Sequence, residues 1–179
     1  MMKSIECARV LSPCEDNVVT VNPRSCLQCV NLTQVWIEPL AAFFSELGKN
    51  GDTKYFCPHP ASSQTLGELA NKFKQDLYYL LVDGEKVLGY GLLRGWDEGY
   101  EIPSLGIAIH PDARNTGLGT TLMHFLHAAA LRKGATKVRL RVHKDNRKAM
   151  AMYEGFGYSF AQGQSDGNYL VGIKRLSGN

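Results

Sequence analysis

The hydrophobic period of the chain changes twice between residues 104 and 143, and that pattern constrains the architecture more than anything else in the sequence. Over residues 104–110, Leu105, Ile107 and Ile109 alternate with Gly106 and Ala108, the period of a strand. From about 117 to 133, Leu118, Leu122, Phe125, Leu126 and Ala129 fall at helical spacing, and Gly134 stops the run. Val138, Leu140 and Val142 then alternate with Arg139 and Arg141 over 137–143, as a half-buried strand does. Upstream, residues 76–82 and 86–94 are rich in strand formers and are separated by Asp83-Gly84-Glu85, which reads as a hairpin. A hairpin followed by a strand-helix-strand unit describes an α/β fold around one mixed sheet.

The remaining elements fit around this frame. A β-branched run at 18–21 is placed to open the sheet. Residues 34–47 carry Val35, Ile37, Leu40, Ala41, Phe44 and Leu47 at helical spacing, with Pro39 in the first turn and Gly48 and Gly51 as stops. Cys57-Pro58-His59-Pro60 forces residues 53–63 into an extended loop. A short helix is predicted over 64–73 from Leu66, Leu69, Ala70 and Phe73, and another over 146–156. Two last strands, 158–162 and 169–174, meet at Asp166-Gly167. No repeat, low-complexity tract or linker interrupts the chain, so residues 1–179 read as one domain with 1–17 as an N-terminal extension.

With 179 residues, 44% hydrophobic and 21% charged, the composition is that of an ordinary soluble domain and excludes a disordered tail, a coiled coil or a multidomain machine. A core of this size needs no metal or disulfide to hold it. The net charge of +3 is too small to argue for nucleic acid. Its distribution is uneven, however: residues 110–150 hold nine Lys/Arg against two Asp/Glu, a local +7, and the rest of the chain is mildly acidic. That segment suits an anionic ligand. No stretch approaches the roughly 18 apolar residues of a spanning helix, and Lys3, Glu6 and Arg9 interrupt the start where a signal peptide would be apolar. The expected location is cytoplasmic, without membrane contact. There Cys7, Cys14, Cys26, Cys29 and Cys57 are expected as thiols, because their spacing and the lack of a nearby His do not suit zinc. No metal site is expected.

The chemistry concentrates in His110-Pro111-Asp112-Ala113-Arg114-Asn115-Thr116-Gly117-Leu118-Gly119-Thr120, where a strand turns into a helix. Glycines at a helix start leave backbone N–H groups free of side-chain cover, and with the helix dipole they hold phosphate oxygens. A plain glycine turn has the same G-x-G, so other nucleotide motifs must be tested. The dinucleotide fingerprint fails, since Leu122 stands where a third small residue is needed and Arg139 where an acid is needed. The P-loop fails because Thr120, not Lys, follows Gly119.

Arg114-Asn115-Thr116-Gly117-Leu118-Gly119 resembles the Arg/Gln-x-x-Gly-x-Gly/Ala pyrophosphate loop of the GNAT superfamily of N-acetyltransferases. Asn146 to Tyr158, with Asn146, Ala149, Tyr153, Gly155 and Gly157, resembles that family's second signature. The resemblance implies a single mixed, mostly antiparallel sheet with a splayed parallel strand pair, flanked by about four helices. It implies that acetyl-CoA is the acyl donor. Ile107, Ala108 and Ile109 would offer backbone groups to the pantetheine and thioester, Arg114, Asn115, Thr116, Gly117, Leu118, Gly119 and Thr120 would form the pyrophosphate loop, and Asn146 would bond the pantetheine arm. Tyr153 matches the residue that commonly protonates the departing thiolate, although an aromatic there would equally suit a helix core.

The acceptor amine must lose a proton before it attacks, and here the family helps least: Arg141 stands where some members carry a Glu. Glu101, with Asp97 and Glu98 beside it, is one candidate base. His59 is another, since imidazole titrates near neutrality. His124 and His127 read as surface residues, and His110 and His143 as strand-end residues near the cofactor. The expected reaction is acetyl transfer to the primary amine of a small molecule, such as an amino sugar or amino acid, by direct attack on the thioester. A protein or peptide acceptor, or a non-catalytic acyl-CoA sensor, remains an alternative, and a homodimer is compatible with the sequence.

Overall fold

The computed structural model describes residues 26–71 and 75–177. They form one seven-stranded sheet in the order β1-β2-β3-β4-β5-β7-β6, made of β1 (Leu27–Asn31), β2 (Leu77–Asp83), β3 (Lys86–Arg94), β4 (Ser104–Ile109), β5 (Lys137–His143), β6 (Ser159–Asp166) and β7 (Tyr169–Arg175). Four α-helices pack on it: α1 (Ile37–Lys49), α2 (Ser63–Asn71), α3 (Leu118–Arg132) and α4 (Arg147–Gly155). Every strand pair is antiparallel except β4 with β5.

Alternation decides which helix covers which face. Leu93, Leu105, Val138, Leu140 and Val142 point to one side and pack with Leu122, Met123, Leu126 and Ala130 of α3 and Tyr153 of α4. Leu80, Val82, Tyr90 and Leu92 point to the other and pack with Leu40, Phe43, Phe44 and Leu47 of α1 and Leu66 and Ala70 of α2. Gly91 lets α3 sit directly on β3, because a Cβ there would lie 3.0 Å from Leu122 and Leu126 side-chain atoms. Leu126 is wholly buried; truncating such a leucine to alanine costs about 2–5 kcal/mol.

The helix-strand unit and both hairpins match the sequence pattern closely. Other expectations change. The run at 18–21, Cys7 and Cys14 lie outside the described residues, as does Phe73. The sheet instead has β1 at Leu27–Asn31, a half-exposed edge strand with no clean alternation to announce it. Residues 34–36 form a 3₁₀ turn before α1 begins at Ile37. His127 is not a surface residue: it is 8% exposed, and its Nε2 shares a 2.8 Å hydrogen bond with the Tyr158 hydroxyl under the ring of Phe156. Cys26, Cys29 and Cys57 are free thiols, and burial pushes the Cys29 pKa up to about 11.

Burial pulls the His127 pKa down to about 4, with the nearby Lys174 and His124 charges adding to the effect. A histidine held neutral in the fold takes up protons more readily when unfolded, so its stabilising contribution is full above pH 6.5 and is lost as pH falls toward 4. The melting temperature should therefore drop across that interval. His127→Gln, which keeps a polar partner for Tyr158 but cannot titrate, should show a shallower drop; an equal slope would mean that other groups carry the pH dependence.

Candidate active site

The parallel pair defines the site. β4 and β5 are joined only at Ser104 and Arg139, with the Arg139 N–H donating to Pro103 O at 3.0 Å, and beyond that point they diverge. The His110 N–H donates to Leu88 O of β3 at 2.9 Å, which sets the alternation along β4. Even-numbered residues, including Ala108, therefore spend their backbone groups on β3, and odd-numbered ones face the gap. Ile107 and Ile109 accordingly present backbone polar groups to a cleft with no strand opposite. Ala108, expected to offer the same, has its own N–H and C=O directed to Tyr90.

The cleft between the two strands has a volume of about 510 Å³ and is lined by 105–109 of β4, Arg141 and Val142 of β5, Ala113, Arg114, Asn115, Gly117, Gly119 and Thr120 of the turn, and Asn146, Met152 and Tyr153 of the α4 segment; Thr116 and Leu118, expected in the loop, do not line it. One end is the start of α3. No side chain caps this helix, and its N-cap, Gly117, sits at φ 86°, a left-handed conformation that strains any residue with a Cβ. Asn115 is also left-handed, at φ 63°, and its Oδ1 accepts from Lys148 Nζ. The Thr116 hydroxyl donates to Ala113 O at 2.6 Å. The turn is thus held from within, while the first-turn amides of α3 point outward with no intrahelical acceptor. Gly119 abuts Met152 and Ile109, which a Cβ would approach to 3.6 and 3.8 Å, so space beyond its Cα is open to a ligand.

Arg114 does not turn toward those amides. Its Nε donates to Ile109 O at 3.2 Å and its Nη2 to Asp52 Oδ2 at 2.6 Å. Partial burial alone would raise the Asp52 pKa, but hydrogen bonds from Arg114 and Asn50 and the charges of Arg114 and Lys54 outweigh it and hold that carboxyl below its ordinary value. Asp52 belongs to the α1–α2 connection, which closes one side of the cleft. Tyr169 donates to Lys54 O at 3.1 Å, Tyr55 packs edge-on against His143, and Arg94 Nη1 donates to Pro58 O at 2.6 Å. Phe56 lies over Gly106, where a Cβ would come within 3.2 Å of its ring. The small residue at 106 thus makes room for Phe56. These tether residues were missed in the sequence because each partner is distant; Asp52 and Arg114 are 62 positions apart.

Tyr153 lines the cleft at 7% exposure, and among the described residues its hydroxyl has no hydrogen-bond partner. Burial pushes its pKa up to about 12. Asn146 caps α4, its Oδ1 accepting from the Ala149 N–H at 3.2 Å, which leaves the side-chain amide N–H groups for a ligand. Glu101 is exposed and does not line the cleft. His59 does not line it either: Nδ1 donates to Pro60 O at 2.8 Å, so Nε2 accepts from the Tyr90 hydroxyl at 2.8 Å. Burial lowers the His59 pKa, and the Arg94 charge adds to this against the Pro60 hydrogen bond. His110 and His143 accept from the backbone N–H groups of Asp112 and Asp145. Among the described residues no group of three or more His, Cys, Asp or Glu is placed to hold a metal, and no helix is long and apolar enough to cross a membrane.

A parallel strand pair that splays beside an uncapped helix start is the arrangement that the resemblance to the GNAT acetyltransferases implies. The profile of the acetyltransferase (GNAT) family matches residues 46–158, and the chain belongs to that family. The fold is similar to the PaiA N-acetyltransferase of Thermoplasma acidophilum in complex with coenzyme A, at TM-score 0.71 and 17% identity over 84% of this chain and 99% of that one. It is also similar to a GNAT-family acetyltransferase from Streptococcus pneumoniae (TM-score 0.70, 18% identity, 84% and 99% covered) and to the ribosomal-protein-S18-alanine N-acetyltransferase of Escherichia coli (TM-score 0.62, 20% identity, 86% and 96% covered).

Proposed function

We propose that the protein transfers the acetyl group of acetyl-CoA to the primary amine of a small molecule. The observation that carries this is the gap beside β4, where the Ile107 backbone and the Ile109 N–H have no strand opposite, leading from the uncapped start of α3 to Tyr153. Acetyl-CoA supplies an activated thioester. The first-turn amides of α3 and the local positive charge, including Lys148, suit its pyrophosphate. The Asn146 amide suits the pantetheine arm, and the Ile107 N–H, facing the gap, suits polarisation of the acyl carbonyl. Arg114 serves the loop by position, tying it to Asp52 and the β4 end.

Tyr153 is the proposed acid. Its buried phenol stays protonated and holds a hydrogen for the departing sulfur, an interaction that strengthens as charge develops there. Proton removal from the amine is assigned to water in the cleft, since both nitrogens of His59 are engaged and Glu101 stands outside. Profiles of kcat/KM against pH for Glu101→Gln and His59→Gln should then keep the wild-type acidic limb. Loss of that limb in one variant, with a much lower plateau, would make that residue the base.

The test of the activity is release of free CoA thiol with a panel of amines. Small primary amines should support release. Acetylation of peptide amines alone would assign a protein acceptor, and tight CoA binding without release to any amine would leave a sensor module.

A further inference from the structure

On the sheet face opposite α3, arginines collect where β4 meets β5. Arg94 pairs with Ser104, and Ser104 pairs with Arg139, so the three side chains form one row across β3, β4 and β5 on a single face. Arg141, two residues along β5, shares that face and lines the cleft. Arg94 and Arg139 are each held by something other than an opposite charge. Arg94 bonds Pro58 O, Arg139 lies 5.2 Å from the Tyr100 ring centroid, and Arg141 lies 4.8 Å from that of Tyr169. Among the described residues neither Arg94 nor Arg139 pairs with a carboxylate, and the nearby Asp76 is spent on the N–H groups of Gly95, Trp96 and Asp97. A planar guanidinium stacked on a ring keeps its N–H edge pre-aligned for a carboxylate or phosphate.

The row stands just beyond one end of the cleft. Ile109 touches the Gly119 turn, which marks the phosphate end. Four residues back along β4, about 13 Å away at strand rise, Leu105 marks the closed apex, and Ser104 with its two arginines lies one residue beyond. An acceptor entering from this face would bring its amine toward the gap at 105–107 with the rest of the molecule against the row.

We propose that the acceptor is a small amine bearing an anionic group, a carboxylate or a phosphate, which the Arg94–Ser104–Arg139 row binds while the amine faces the gap. This rests on the acetyl-transfer reading above. Three sets of calorimetric titrations separate the two: CoA into the protein, then n-butylamine, 4-aminobutanoate and 3-aminopropyl phosphate each into the CoA complex, then the same amines into the Arg139→Gln and Arg94→Gln complexes, with folding checked by circular dichroism. Charge-assisted hydrogen bonds of this kind predict at least about tenfold tighter binding of an anionic amine than of n-butylamine, and the tighter of the two anions names the carboxylate or the phosphate. In the variants the ratio of anionic to neutral affinity should fall by about tenfold. CoA binding with no preference for either anionic amine would overturn the inference and leave the acetyl-transfer reading standing. An anionic preference that both variants keep would also overturn it. Failure of CoA to bind would remove the parent reading, and the inference with it.

Discussion

Tyr153→Phe should lower kcat by about two to four orders of magnitude while CoA affinity is kept, the span that a positioned general acid contributes. The substitution removes one oxygen and leaves the ring in the same core cluster as Val142 and Leu140 and against the Tyr158 ring. That hydroxyl has no hydrogen-bond partner among the described residues, so its loss orphans no protein group and the fold should be unaffected. Because burial lifts the phenol pKa to about 12, the group is loaded with its proton throughout the working range. The wild-type kcat profile should thus show no limb from Tyr153 near neutrality. A variant with near-normal turnover, measured where chemistry limits the rate, would return Tyr153 to the helix core.

Gly119→Val should raise the CoA dissociation constant at least tenfold, about 1.4 kcal/mol. Gly119 stands in the first turn of α3, and its nearest protein atoms leave ordinary contact distance for a Cβ, so the branched side chain burdens the ligand more than the fold. Gly117 offers the contrast. At φ 86° any L-residue there is strained, by about 1–2 kcal/mol, and Gly117→Ala should lower stability as well as affinity. Unchanged CoA affinity in folded Gly119→Val would count against the α3 turn as the phosphate site.

The difference between these two glycines shows where the sequence could be read. From Ser104 to Tyr158 the elements are set by neighbours in the chain: period two along β4 and β5, period 3.6 along α3, and glycines where the backbone must turn left-handed. That stretch also holds the two motifs, so the walls of the cleft that β4, the α3 turn and α4 form were legible. The remaining wall was not. It depends on the α1–α2 connection, whose place is set by Asp52 to Arg114, Tyr169 to Lys54, Arg94 to Pro58 and His59 to Tyr90, none of them within thirty positions of its partner. His59 and Glu101 looked reasonable as bases by chemistry alone. Only tertiary packing shows the imidazole consumed between Pro60 and Tyr90. His127 misled for a related reason, since its partner Tyr158 and its cover Phe156 come from beyond β5.

The central claim is that acetyl-CoA lies in the gap between β4 and β5 with its phosphates on the α3 turn. Amide hydrogen exchange, followed by mass spectrometry with and without CoA, reads this location directly, because the exchange of an amide slows when a ligand covers or bonds it. Bound CoA should slow exchange in 105–109 and in 115–120, with little change in β1 and β2 at the far edge of the sheet. Saturating CoA that leaves both segments unprotected while protecting another region would contradict the account.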